Sequence, residues 1–174
     1  MMRRRNLNQT QDSHIRERKR GDGIITAIAF GGFLIIVGLL FALTPDLWQK
    51  ITYFFDHIGT ASFPYGGANS TISLPAPTDP ATHKVLYTAL LQFDIAFGIL
   101  QVLILGIRIS AHSRVGRISE TLGNAVFWFG AAILVNVFLL TGTLSGWFQY
   151  WAALIVVVGV SLIARAFVYF AKRK

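Results

Sequence analysis

The chain contains no cysteine, so disulfide bonds, thiolate metal sites and cysteine nucleophiles are excluded. Charged residues are also scarce: they make up 14% of the sequence, whereas a soluble domain carries about a quarter. Hydrophobic residues, by contrast, make up 53%. This composition is far from that of a soluble domain and predicts a chain that lies largely in lipid.

Four long apolar segments account for this composition. They cover residues 24–43, 86–107, 122–141 and 147–170, and each has about 20 residues, which lets a helix cross roughly 30 Å of hydrocarbon. The sequence therefore predicts an all-α integral membrane protein with a single membrane domain (24–174), a bundle of four transmembrane helices. Because the last connection is short, the third and fourth helices are predicted to be antiparallel neighbours.

Lys and Arg are distributed unevenly between the two ends of these segments. Thirteen of them lie before the first segment, between the second and third, or after the fourth. Only Lys50 and Lys84 lie at the opposite ends, and Arg165 lies within the fourth segment. This bias predicts that both termini are cytoplasmic and that the chain lies in the cell membrane. It also accounts for the net charge of +8 without a nucleic-acid partner.

The amino-terminal tail, residues 1–23, is polar and basic. We predict that it is cytoplasmic. The cations from Arg3 to Arg20 have two interpretations: they bind anionic lipid headgroups, or they serve only as the signal that orients the first helix.

The outer loop, residues 44–85, begins with a pattern typical of an amphipathic helix. Thr44 and Pro45 suit the N-cap and the first helical position. From Leu47 onward, apolar residues recur at offsets 0, 4, 7, 8 and 11, which places them on one helical face. We predict an amphipathic helix over 45–58 that lies at the outer membrane interface.

The remainder of the outer loop is rich in Gly, Pro, Ser and Thr. Over 62–80 we predict irregular structure, with at most a short extended piece over 71–74. Asn69 begins an Asn-Ser-Thr triplet on the outward side, where it is an acceptor for N-glycosylation in a host that carries out the modification.

Small residues recur on one face of the first and fourth segments. Since lipid is as apolar as leucine, membrane helices associate through close van der Waals contact, which small residues permit. The two stripes therefore predict helix–helix contacts, within the chain or with another subunit. Their members are Ala27, Gly31, Gly38 and Ala42 in the first segment and Ala152, Gly159 and Ala166 in the fourth.

Polar residues recur along one face of the second segment, at Tyr87, Asp94 and Gln101. An ionised carboxylate at the depth of Asp94 costs about 2.5–3.5 kcal/mol, so it must be protonated, hydrated or paired. Asn136 in the third segment is its expected partner by depth. One hypothesis makes these four residues an interhelical polar seam that fixes helix register; the other makes them part of a proton or ion pathway.

Two arginines lie toward the cytoplasmic ends of the segments. Arg108 follows the second segment, seven residues beyond Gln101. Arg165 lies a layer too deep to reach Asp94. We expect it to extend toward the cytoplasmic surface near the level of Arg108.

Catalytic patterns are sparse. Asp56, His57, Asp79 and His83 are the only combination with metal-ligand chemistry, and their spacing does not favour convergence. The chain lacks a Gly-rich phosphate loop, a serine elbow and a pair of catalytic carboxylates. We therefore expect no enzyme and no cofactor. The expected function is an accessory, scaffold or assembly subunit that associates with other membrane subunits or with itself; the alternative is a small ion or proton translocator that uses Asp94.

Overall fold

The computed structural model describes the backbone of residues 2–64 and 71–171, and side chains over 23–63 and 71–171. Two of the sequence predictions lie outside the described residues: the glycosylation acceptor Asn69, and the side chains from Arg3 to Arg20. The described chain is mostly helical. Its elements, in order, are α1 (Met2–Leu43), α2 (Leu47–Asp56), β1 (Ile58–Pro64), β2 (Thr71–Pro77), a 3₁₀ turn (Pro80–His83), α3 (Lys84–Ser110), α4 (Val115–Leu134), a π-helical turn (Val135–Leu139) and α5 (Leu144–Ala171).

The four predicted membrane segments are confirmed as helices long and apolar enough to cross a membrane. The spanning stretches are Gly23–Leu43, Pro80–Ser110, Val115–Leu139 and Leu144–Ala171. The first helix does not begin at the apolar boundary, because the backbone of α1 is helical from Met2. We refer to the end of the molecule that carries α2 and the two strands as the hairpin end, and to the end with the α3–α4 connection as the turn end.

The helices pack in the order α1, α3, α4, α5, so that α4 is the common neighbour of α3 and α5. Glycines set the closest approaches. A Cβ at Gly98 of α3 would lie 3.0 Å from Cε1 of Phe129 in α4, and one at Gly130 of α4 would lie 2.6 Å from Cγ1 of Val157 in α5. Helix α1 contacts the rest along one side, through a small core of Ile25, Leu100 and Ile104.

The two predicted stripes of small residues do not make these contacts. A Cβ at Gly31, Gly38 or Gly159 would meet no atom within 4 Å outside its own helical turn. The alanines of the stripes are exposed, at Ala27, Ala42, Ala152 and Ala166. Within the chain, α1 uses Gly32 instead, whose Cβ would lie 2.7 Å from Cδ1 of Leu100. The glycines of both stripes therefore face away from the described part of the molecule.

The all-α prediction needs a correction, because the outer loop contains a two-stranded antiparallel sheet. Strands β1 and β2 pair from Ile58 opposite Pro77 to Pro64 opposite Thr71. The prediction of irregular structure over 62–80 gave too much weight to proline. Both strands of a two-stranded sheet are edges, where a proline without an N–H is tolerated.

The hairpin is attached to α5. The indole N–H of Trp147 donates a hydrogen bond of 3.1 Å to the carbonyl of Pro75, and the rings of Phe63 and Phe148 lie 4.9 Å apart. Ala76 of β2 is 2% exposed. The sheet is therefore part of the packed hairpin end.

The predicted interfacial helix is shorter than 45–58 and starts differently. It begins at Leu47, and Asp46 precedes it with φ of 55°, in the left-handed region, without a capping hydrogen bond from its side chain. Thr44 belongs to the end of α1, since its N–H donates to Leu40. Of the apolar face, Leu47 is buried and Phe54 packs against the core, whereas Phe55 is exposed.

Two glycines of the same helix test the packing of α3 against α4. We expect Gly98→Leu to lower the free energy of unfolding by about 1–3 kcal/mol, because the added side chain collides with Phe129. The same substitution at Gly106, which has no neighbour within 4 Å, should leave stability unchanged or raise it slightly. Unfolding in detergent micelles measures both. Equal loss at the two sites would contradict the α3–α4 contact.

Candidate functional site

Four buried polar side chains lie along one face of α3 and the turn that precedes it. The exposed fractions of His83, Tyr87, Asp94 and Gln101 are 3%, 3%, 2% and 9%, so Asp94 is the most buried of them. At 100° per residue their directions fall within about 40° of one another. We call these four residues the polar column. It runs from the hairpin end into the middle of the membrane segment.

Three atoms of the polar column have no hydrogen-bond partner among the described residues. They are Nε2 of His83, the hydroxyl oxygen of Tyr87 and Oδ2 of Asp94, all buried. A buried polar atom left without a partner costs about 1–3 kcal/mol. Among the described residues, these three atoms make no hydrogen bond between helices. Water or an ion is the kind of partner that satisfies a buried polar atom when no protein group does.

Aromatic rings surround the column at the hairpin end. The His83 ring lies 5.0 Å from Phe54, 5.7 Å from Tyr53 and 6.3 Å from Tyr87, between ring centroids. Tyr87 also belongs to the main core, with Tyr150 of α5. These rings pack around His83, whose side chain is 3% exposed.

Packing connects a further helix to this region. Tyr150 of α5 is buried in the same core cluster as Tyr87. Tyr150 therefore brings α5 into the site, which the sequence analysis did not anticipate.

Asn136, the expected partner of Asp94, does not join the column. Its side chain is exposed, whereas the preceding residue, Val135, is fully buried. The prediction used depth alone, which does not determine the face of the helix on which a residue lies. Asn136 lies within the π-helical turn, in which the N–H of Leu140 donates to the carbonyl of Val135.

His83 also lines a cavity of about 460 Å³ at the hairpin end. Sequence reasoning considered this histidine only as a loop metal ligand. The signal that would have found it is its position four residues before Tyr87, on the same helical face. The cavity lies between α2 and the start of α3, and its lining residues are Asp46, Gln49, Lys50, Tyr53, Thr82, His83, Val85 and Leu86.

Two of the four residues weighed as metal ligands have other partners. Nδ1 of His57 lies 2.8 Å from the carbonyl oxygen of Tyr53, and Oδ1 of Asp79 accepts from the N–H of Ala81 at 3.1 Å. Among the described residues, no three His, Cys, Asp or Glu side chains are grouped so that they could hold a metal ion.

The two arginines at the turn end both reach α4. Arg108 donates through Nη1 to the carbonyl of Arg117 at 2.7 Å. Arg165 donates through Nη2 to Oδ1 of Asn124, a partner that sequence reasoning missed. The acceptors are seven residues apart, about 10 Å along the α4 axis, so the guanidinium of Arg165 lies deeper than that of Arg108.

Comparison with known proteins gives no match, whether with family models, curated proteins or solved structures. The functional argument therefore depends on the geometry of this chain.

The Tyr87 hydroxyl offers a direct test of the column. We expect Tyr87→Phe to leave the free energy of unfolding unchanged or to raise it by about 1 kcal/mol, because the buried hydroxyl has no protein partner to lose. Thermal unfolding in micelles measures the change, with Tyr169→Phe, at an exposed tyrosine, as the control. A clear loss of stability in Tyr87→Phe alone would show that the hydroxyl has a structural partner.

Proposed function

We propose that the chain is a non-enzymatic membrane component, an accessory, scaffold or assembly subunit whose partner is a transmembrane helix of another subunit. The observation that carries this proposal is the small-residue stripe of α1, which has no partner within the described chain. In the proposed orientation both termini are cytoplasmic, in the cell membrane, which the uneven distribution of Lys and Arg supports.

The physical reason lies in what a small residue contributes inside a membrane. Large apolar residues such as Phe30 and Leu34 suit lipid, and their exposure on α1 needs no partner. Glycine has no side chain to contact lipid, and its contribution is to let another backbone approach closely. Gly31 and Gly38 lie seven residues apart on one open face, as the docking of a second helix requires.

Substitutions at two adjacent glycines, Gly31 and Gly32, distinguish a loss of partner binding from a loss of stability. We expect Gly31→Leu to lose the partner subunit from native mass spectra of the protein extracted in mild detergent, while its thermal unfolding stays unchanged. Gly32→Leu should destabilise the chain itself, since its side chain collides with Leu100. Gly106→Leu, an open glycine on α3, should keep the partner. A chain that carries no foreign subunit before any substitution would overturn the proposal.

The absence of cysteine allows a second measurement of the same contact. A single cysteine at Gly38→Cys, labelled with a photoactivatable maleimide, should form a cross-link to another subunit in native membranes on illumination, and one at the neighbouring exposed Leu39→Cys should not. A cross-link between two copies of this chain would replace the foreign partner by a homo-oligomer.

A second candidate function, translocation of protons or ions, is favoured by the polar column. Its three unpartnered buried atoms lie in sequence from the hairpin end to Asp94. An intramembrane carboxylate is often part of a proton or ion pathway. In this hypothesis the cavity beside His83 is the entrance, and Asp94 accepts and releases the transported proton.

The isostere Asp94→Asn distinguishes the two functions. A translocator should lose its pH-dependent flux in liposomes and keep its assembly. The asparagine amide fills the same space as the carboxyl group but does not bind and release a proton near neutral pH. Asp56→Asn, an exposed carboxylate outside the polar column, is the control and should retain flux. Absence of flux in the unmodified protein would reject the second candidate.

A further inference from the structure

A second cavity, of about 360 Å³, lies between α4 and α5 near the turn end. It is distinct from the polar column and involves none of its residues. Its lining residues are Ser119, Arg165, Ala166, Tyr169 and Phe170. Arg165 lies six residues before the end of α5 at Ala171, about 9 Å along the helix axis. The cavity therefore lies close to the level at which a membrane changes from acyl chains to headgroups.

The local packing holds the Arg165 side chain in a fixed position. It crosses α4 over Gly123, where a Cβ would lie 2.8 Å from Cδ of the arginine. The next residue, Asn124, accepts a hydrogen bond from Nη2. An arginine side chain that extended freely into solvent would need neither a glycine at position 123 nor a hydrogen bond to the side-chain amide of Asn124. The pair Gly123 and Asn124 thus directs the guanidinium along the α4–α5 junction.

The charge of Arg165 has no compensation within the described residues. Asn124, its one hydrogen-bond partner there, is neutral, and Nε is buried without a partner. No acidic side chain lines the cavity. A cation in a membrane helix costs about 2.5–3.5 kcal/mol on insertion scales, so a neighbouring anion is strongly favoured.

We propose that this cavity binds an anionic phospholipid, whose phosphate is held by the guanidinium of Arg165. A guanidinium fork matches the oxygens of a phosphate. The hydroxyl of Tyr169 supplies a second donor at the cavity, since Ser119 already donates to Gly116. Ala166 and Phe170 present apolar surface to an acyl chain.

The lining residues also favour one headgroup class over another. A zwitterionic lipid brings an ammonium group together with its phosphate, and the cavity lining has no carboxylate to pair with that ammonium. Phosphatidylglycerol brings a net negative charge and hydroxyl groups instead. The negative charge of this lipid neutralises Arg165, and the lipid has no further charge that would need a partner in the cavity. We therefore expect phosphatidylglycerol to bind in preference to phosphatidylcholine.

The test is native mass spectrometry of the full chain taken from mixed vesicles of phosphatidylglycerol and phosphatidylcholine. The unmodified protein should retain one phosphatidylglycerol, and Arg165→Gln should bind it about tenfold more weakly, as loss of a charged hydrogen bond implies. Arg117→Gln removes an equal charge at the same end, from an exposed side chain outside the cavity, and should retain the lipid. Equal loss in both variants would mean non-specific attraction, and equal retention in both would exclude Arg165. Either result overturns the proposal.

A measurement on the unmodified protein keeps the proposal testable if Arg165→Gln fails to fold. Added phosphatidylglycerol should raise the midpoint of thermal unfolding in micelles, and phosphatidylcholine should raise it less. Inorganic phosphate at the same concentration should have no effect. Equal stabilisation by the two lipids, or stabilisation by inorganic phosphate, would overturn the assignment to an anionic phospholipid.

Discussion

The absence of water from the membrane interior constrains the whole structure, since each polar group there must find a partner within the protein or remain unsatisfied. The hydroxyls of Ser161 and Thr121 meet this constraint through backbone carbonyls of their own helices. Asp94 and Tyr87 do not. The contrast separates side chains that the fold satisfies from side chains that it leaves available. The proposed proton or ion pathway and the proposed lipid site both involve side chains of the second group.

Helix α4, with the π turn that follows it, shapes the surroundings of buried polar groups at both the turn end and the hairpin end. Near the turn end, the absence of a side chain at Gly123 leaves room for Arg165, and the side-chain amide of Asn124 accepts a hydrogen bond from it. Near the hairpin end its π turn buries Val135 in the core beside Tyr87. One helix thus determines the surroundings of both the cation and the polar column.

The sequence predicted the four membrane helices and the buried face of α3 because both depend on regular periodicity over many residues. It failed where depth or composition alone could not say which neighbours a residue has. Depth matched Asn136 to Asp94 although the Asn136 side chain is exposed, and strand pairing with Thr71–Pro77 made an ordered sheet from residues that usually break structure. The neighbours of Arg165 were also out of reach, because a missing Cβ at Gly123 carries no signal until the partner helix is known.

The single-sided packing of α1 has a consequence for biosynthesis. Helix α1 is synthesised before α3, against which it packs, so α3 is absent when α1 enters a bilayer. It is also the span with the highest mean hydropathy of the four, whereas the span containing α4 has the lowest. The first helix is thus suited to insertion alone, and the later, more polar helices are inserted into a membrane that already contains a helix of the same chain.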